Sequence, residues 1–103
     1  MNEDNRPRYV ISVAAEMLST QAYILRYYER VGVIKPYRSP GNVRLYSDSD
    51  IVQLQRVRTL MGDLGVNLAG VEVILRMSQR IAELKRANEA LESELDGLRR
   101  HKL

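Results

Sequence analysis

Residues 11–32, ISVAAEMLSTQAYILRYYERVG, decide the fold. The spacing predicts a short helix from Ile11 to Leu18, with Ser12 as its N-cap and Val13, Ala14, Met17 and Leu18 as its apolar face. A second helix is expected from about Gln21 to Val31, capped by Thr20. Gly32 stands where a helix terminates in a left-handed residue. Only Ser19 and Thr20 separate the two, and two short helices with so tight a connection outline a helix-turn-helix. Wound as a helix, residues 21–31 put Ile24, Leu25, Tyr28 and Val31 on one side. Tyr23, Arg26, Tyr27 and Arg30 fall on another, at i, i+3, i+4 and i+7.

Downstream the texture changes. Val33 to Tyr46 contains Pro36, then the turn signal Ser39-Pro40-Gly41-Asn42, flanked by alternating residues. This reads as a β-hairpin, with Pro36 at a strand start or edge. Ser47 opens a third helix, with Asp50 three residues on as a short-armed capping box, and Asp48 beside it at the positive end of the dipole. Ile51, Leu54, Val57, Met61 and Leu64 recur at helical spacing, and Gly62 and Gly65 mark the end. Asn67 caps a fourth helix that turns Leu68, Val71, Ile74 and Leu75 inward. Gly70 inside that helix implies close backbone packing.

From Ser78 to Lys102 the pattern is heptad. Ile81, Asn88, Leu95 and Lys102 share one position, and Leu84, Leu91 and Leu98 the other, over about three heptads. The expected fold is mainly α: a flexible arm (1–8), a winged helix-turn-helix domain (9–77) and a coiled-coil dimerisation helix (78–103). The dimer seam would comprise Ile81, Leu84, Asn88, Leu91, Leu95 and Leu98. Asn88 weakens such a seam but fixes its register, and it fits parallel or antiparallel pairing. A single amphipathic helix folded back on its own domain is the alternative.

Composition narrows the function. With no cysteine among 103 residues, disulfides, thiol sensing and Cys-based metal sites are excluded. The one histidine, His101, is read as solvated, and no metal or other cofactor is expected. No paired carboxylates, activated nucleophile or phosphate loop suggests an enzyme. No run is long and apolar enough to cross a membrane, and Met1 to Arg8 is too polar for a signal peptide, so a cytoplasmic location is expected. The net charge is +3, but it is concentrated. Between Ser19 and Tyr46 stand Arg26, Arg30, Lys35, Arg38 and Arg44 against a single acid, Glu29. A local basic patch suits a polyanion.

Double-stranded DNA is therefore the expected partner. Arg26, Tyr27 and Arg30 would supply base and phosphate contacts from the second helix, with Gln21 and Tyr23 near its start, where base edges are reached. The wing would add Arg38, Asn42, Arg44 and Tyr46, its arginines holding phosphate. The alternatives are an architectural, excisionase-like winged helix that bends DNA, and a coiled-coil adaptor that binds protein.

The run from Leu25 to Pro36, LRYYERVGVIKP, together with Arg44-Leu45-Tyr46-Ser47 and Asp50-Ile51, resembles the signature of the MerR family of transcription regulators. The resemblance covers roughly residues 9–100. Within the family, Tyr9 to Met17 and Gly65-Val66-Asn67-Leu68-Ala69-Gly70-Val71 are similar to its heat-shock repressor branch. That likeness implies a second, smaller wing near Leu64–Asn67, antiparallel pairing of the long helices and an inverted-repeat operator at chaperone genes. It also implies the DnaK chaperone as co-repressor of a homodimer. The chain departs from sensor members in having no cysteines among its 103 residues, and no small-molecule effector domain is expected. It departs from the heat-shock branch at Ser19 to Ile24, which bears on base preference.

Overall fold

The computed structural model describes residues 3–101. The order is a 3-10 turn (Glu3–Asn5), α1 (Ile11–Met17), α2 (Ala22–Arg30), β1 (Tyr37–Arg38), β2 (Arg44–Leu45), α3 (Asp48–Arg58), a π turn (Thr59–Asp63) and α4 (Leu68–His101). The fold is mainly helical with a two-stranded wing. Residues up to Val71 form one compact unit, and the rest of α4, from Glu72 on, is a second.

Both short helices end in the same way, and this fixes the turn between them. At the end of α2 the Gly32 amide donates to the Glu29 carbonyl (3.1 Å) and the Val33 amide to the Tyr28 carbonyl (3.1 Å), with Gly32 at φ 88°. This is the double-bonded left-handed terminus expected there. At the end of α1 the Ser19 amide donates to Glu16 (3.0 Å) and the Thr20 amide to Ala15 (2.9 Å), with Ser19 at φ 52°. Thr20 thus completes the end of α1, and the N-cap of α2 is Gln21, without a side-chain cap bond. The expected cap at Ser12 is also displaced. Val10 caps α1 in an extended conformation, because the preceding residue is in a β-bridge with Tyr46. A serine in the left-handed region carries a steric cost that glycine does not. Ser19→Gly is expected to stabilise the fold by about 1 kcal/mol, a rise of about 4–8 °C in the thermal midpoint for a domain of this size. An unchanged or lower midpoint would mean that the serine side chain compensates for its backbone.

The core of the first unit draws on α1, α2, α3 and the start of α4. Ala14, Ala15 and Leu18 from α1 are buried, as are Leu25 and Tyr28 from α2, Ile51, Leu54 and Val57 from α3, and Val71 from α4. The buried stripe of α1 therefore runs through Ala14, Ala15 and Leu18, while Val13 and Met17 of the expected apolar face are exposed. Polar ties supplement the packing. The Arg58 guanidinium donates to the Leu18 carbonyl, tying α3 to the end of α1. The Gln53 amide donates to the Val33 carbonyl (2.7 Å), holding the chain that leaves α2.

The capping box is present at both arms. Ser47 Oγ accepts from the Asp50 amide (3.1 Å), and Asp50 Oδ2 accepts from the Ser47 amide (2.9 Å). Ile51, Leu54 and Val57 point inward as the spacing predicts, but Leu64 is 67% exposed. The π turn is the cause. The Leu64 amide reaches back five residues to Thr59 (3.0 Å), and the wider turn rotates Leu64 off the buried stripe. Asn67 caps α4 by accepting from the Gly70 amide (2.9 Å). A Cβ on Gly70 would lie 2.7 Å from Val66 Cγ1, so the close approach at this glycine is to a neighbouring side chain and not to another backbone segment.

The N-terminal segment is joined to the wing. The Tyr46 amide donates to the Tyr9 carbonyl (2.7 Å), and the Tyr46 carbonyl accepts from the amides of Tyr9 (2.9 Å) and Arg8 (3.0 Å). Arg8 Nη1 pairs with Asp48 Oδ2 (2.9 Å), and the Tyr9 hydroxyl donates to Asp48 Oδ1 (2.6 Å). The hydrogen bond from Tyr9 is the largest influence on the Asp48 carboxyl; desolvation opposes it, and with the hydrogen bond and charge of Arg8 added the carboxyl is held below its usual range. Within the stretch read as an arm, Asn5 Oδ1 also accepts from Ser49 Oγ (2.8 Å).

Candidate nucleic-acid interface

Helix α2 separates its two faces as the sequence suggests. Leu25 and Tyr28 are buried, and Tyr23, Arg26 and Arg30 are exposed, with Tyr23 at 65%. Gln21, one residue before the helix, is exposed as well. Tyr27 is half-buried; its ring lies 5.9 Å from that of Tyr28, and the Arg30 guanidinium sits 5.6 Å from its centroid. The stacked cation is thus held toward solvent on a rigid aromatic base. Arg26 makes no hydrogen bond or ion pair with the described residues, so its donors are available to a ligand.

The wing follows directly. Tyr37 pairs with Leu45 and Arg38 with Arg44 in antiparallel register. The tip is closed by the Asn42 amide donating to the Ser39 carbonyl (2.8 Å), with Asn42 at φ 64° and exposed. Asparagine tolerates that left-handed conformation better than most residues, which explains its place after Pro40-Gly41.

Three wing residues have surroundings that the sequence did not show. Tyr46 is fully buried, so it leaves the set of candidate DNA contacts. Its backbone bridge to Tyr9 turns the ring into the core. The hydroxyl has no hydrogen-bond partner among the described residues, and burial pushes its pKa up. Arg38 and Arg44 are not free cations on a solvated strand. Arg44 Nε donates to Glu29 Oε1 (2.6 Å) and Arg38 Nη2 to Glu29 Oε2 (3.0 Å), so one carboxylate of α2 holds both. Desolvation raises the Glu29 pKa, but the hydrogen bonds from Arg44 and Arg38, reinforced by their charges, outweigh it and hold the carboxyl below its usual range. Sequence reasoning missed this role. The only signal was that Glu29 is the lone acid in the basic stretch.

In the second unit, α4 carries a single apolar stripe. Ile81 and Leu84 (both 52%), Leu91 (62%), Leu95 (46%) and Leu98 (61%) are exposed, as is Asn88 between them. No helix among the described residues is long and apolar enough to cross a membrane, and no acid or histidine cluster suited to a metal is found among them.

A tight helix-turn-helix whose second helix shows a cationic, aromatic face, followed by a basic wing, defines a winged-helix DNA-binding protein. The model of the MerR HTH family of regulatory proteins matches residues 9–78, and the chain belongs to that family of DNA-binding transcription regulators. It is 40% identical over 94 residues to a putative heat shock protein HspR of Streptomyces coelicolor, covering 91% of this chain and 62% of that protein. It is 33% identical over 91 residues to the HTH-type transcriptional regulator GlnR of Bacillus anthracis, covering 86% of this chain and 70% of the relative. The chain thus spans less than two thirds of the length of the Streptomyces relative. Among solved structures, the fold is similar to that of HiNmlR, a MerR family regulator lacking the sensor domain, bound to promoter DNA. That match has a TM-score of 0.64 at 20% identity, over 90% of this chain and 76% of the other. A MerR family transcriptional regulator from Bacillus cereus matches with a TM-score of 0.57 at 27% identity, over 82% and 75%.

Proposed function

We propose that this chain is a cytoplasmic repressor of heat-shock and chaperone genes that binds an inverted repeat as a homodimer. The observation that carries the DNA-binding part is the exposed Arg26 and Arg30 face of α2 beside the basic wing. Arg26, Arg30, Tyr23, Tyr27 and Gln21 contact bases and phosphates in the major groove, and Arg38, Arg44 and Asn42 follow the backbone from the wing. The stripe of α4 pairs two chains, so that a two-fold protein meets a two-fold site. Identity with the Streptomyces heat shock protein supports the choice of target genes. A DnaK-type chaperone as co-repressor rests on the same likeness. The working division is residues 1–8 as an arm, 9–77 as the DNA-binding domain and 78–103 as the pairing helix.

The test is a titration of a chaperone-operon promoter fragment against a scrambled fragment across a salt series. Preference for the promoter by about a thousandfold or more, with two protomers bound, is the expected result. Equal, steeply salt-dependent binding to both fragments would point instead to an architectural DNA-bending role. No binding at low salt would remove DNA as the partner. Arg26→Ala is expected to cost about 1–3 kcal/mol and to relax base preference at one position of the site. An unchanged preference would reduce Arg26 to a phosphate contact.

A further inference from the structure

Glu29 lies in the last turn of α2, where a negative charge faces the negative end of the helix dipole. Its placement therefore does not serve the helix. It reaches the wing instead, taking Arg44 on one oxygen and Arg38 on the other. The side chains are only partly exposed: 22% for Glu29, 26% for Arg44 and 38% for Arg38. The pairs are therefore better shielded from solvent than fully exposed surface ion pairs.

The donor atoms used decide what remains. Arg44 engages Glu29 through Nε, leaving both Nη groups for another acceptor. Arg38 engages through Nη2, leaving Nε and Nη1. A guanidinium can serve two acceptors on different edges, which an ammonium does far less directionally. Both cations are thus fixed to the helix that reads the bases, and one carboxylate offsets part of their combined charge. Fixed, partly neutralised cations reward DNA whose phosphates fall in register with α2. Loose cations bind any phosphate.

We infer that Glu29 is a positioning residue that sets DNA selectivity, by locking wing residues Arg38 and Arg44 to α2 and suppressing their binding to DNA of any sequence. The inference rests on the DNA-binding reading above. Glu29 itself contacts no DNA; it acts through the two arginines.

The experiment measures the ratio of affinities for the promoter and scrambled fragments, with its salt dependence, for the full chain. Glu29→Gln is expected to tighten binding to scrambled DNA, to steepen its salt slope by about one to two phosphate equivalents, and to lower the selectivity ratio about tenfold. In an Arg38→Gln, Arg44→Gln background the same substitution is expected to leave the ratio unchanged within about twofold, because a residue that acts through a partner loses its effect with the partner. An equal fall in both backgrounds, or no fall in the first, overturns the inference. If Glu29→Gln does not fold, Arg44→Lys serves as the second variant. It keeps the charge but not the two-edged geometry, and is expected to preserve the salt slope while lowering the ratio; an unchanged ratio overturns the inference. Parent protein that binds neither fragment overturns the DNA-binding reading and the inference together. Parent protein that discriminates normally, with additive effects of the substitutions, overturns the inference alone.

Discussion

Leu84→Glu combined with Leu91→Glu is expected to leave a folded monomer that binds a full inverted repeat at least about a hundredfold more weakly. Both leucines are more than half exposed in the single chain, so their loss removes nothing from the core of the first unit. In a paired seam they would be buried, and two like charges brought face to face there oppose association. The loss on a full site arises because a second half-site no longer binds intramolecularly, whereas affinity for an isolated half-site should be nearly unchanged. Sedimentation equilibrium and titrations against full and half sites read the two effects separately. A variant that stays dimeric would place the pairing surface elsewhere, and one that loses half-site affinity would show damage to the DNA-binding unit.

Leu54→Ala should have the largest effect on stability. Leu54 is completely buried on α3, between the inward-facing Ile51 and Val57. Truncating such a side chain costs about 2–5 kcal/mol, depending on how far the site collapses around the cavity. Against a total of about 5–15 kcal/mol for a small domain, that is a large share. The thermal midpoint should fall by about 10 °C or more, with DNA binding lost only as the protein unfolds. Arg26→Ala should behave in the opposite way, losing DNA affinity at an unchanged midpoint. A mild shift for Leu54→Ala would show that neighbouring side chains refill the space.

Local chemistry made much of this structure legible from sequence. The Ser47–Asp50 capping box, the left-handed Gly32, the Asn67 cap and the Pro40-Gly41-Asn42 turn each depend on residues within a few positions of one another. The two-faced pattern of α2 was equally legible, because Leu25 and Tyr28 repeat at helical spacing against Arg26 and Arg30. What was not legible depended on partners far along the chain or on small changes of helical pitch. Tyr46 reads as an outward wing residue until Tyr9, distant in sequence, bridges to it. Arg38 and Arg44 read as phosphate-holding wing residues, and nothing near them in sequence shows that Glu29 reaches both. Leu64 continues a periodic stripe by count and leaves it only because the turn before it is wider. On α1, the small residues Ala14 and Ala15 allow close packing, while the larger Val13 and Met17 lie outside.

The bridge between Tyr9 and Tyr46 gives the wing a gradient of stiffness. At its root, the hairpin is flanked by the incoming N-terminal segment, which is itself anchored through Arg8 and Tyr9 to the first residue of α3. At its tip, the loop is held by its own bonds among Ser39, Asn42 and Val43. Such an element behaves as a cantilever: deflection grows with distance from the clamp. Arg38 and Arg44 sit between the clamp and the tip, where Glu29 fixes them, and Asn42 at the compliant end. On the DNA-binding role proposed for the wing, the rigid part would set the register of approach, while the free end would adapt to whatever groove width the local DNA sequence presents.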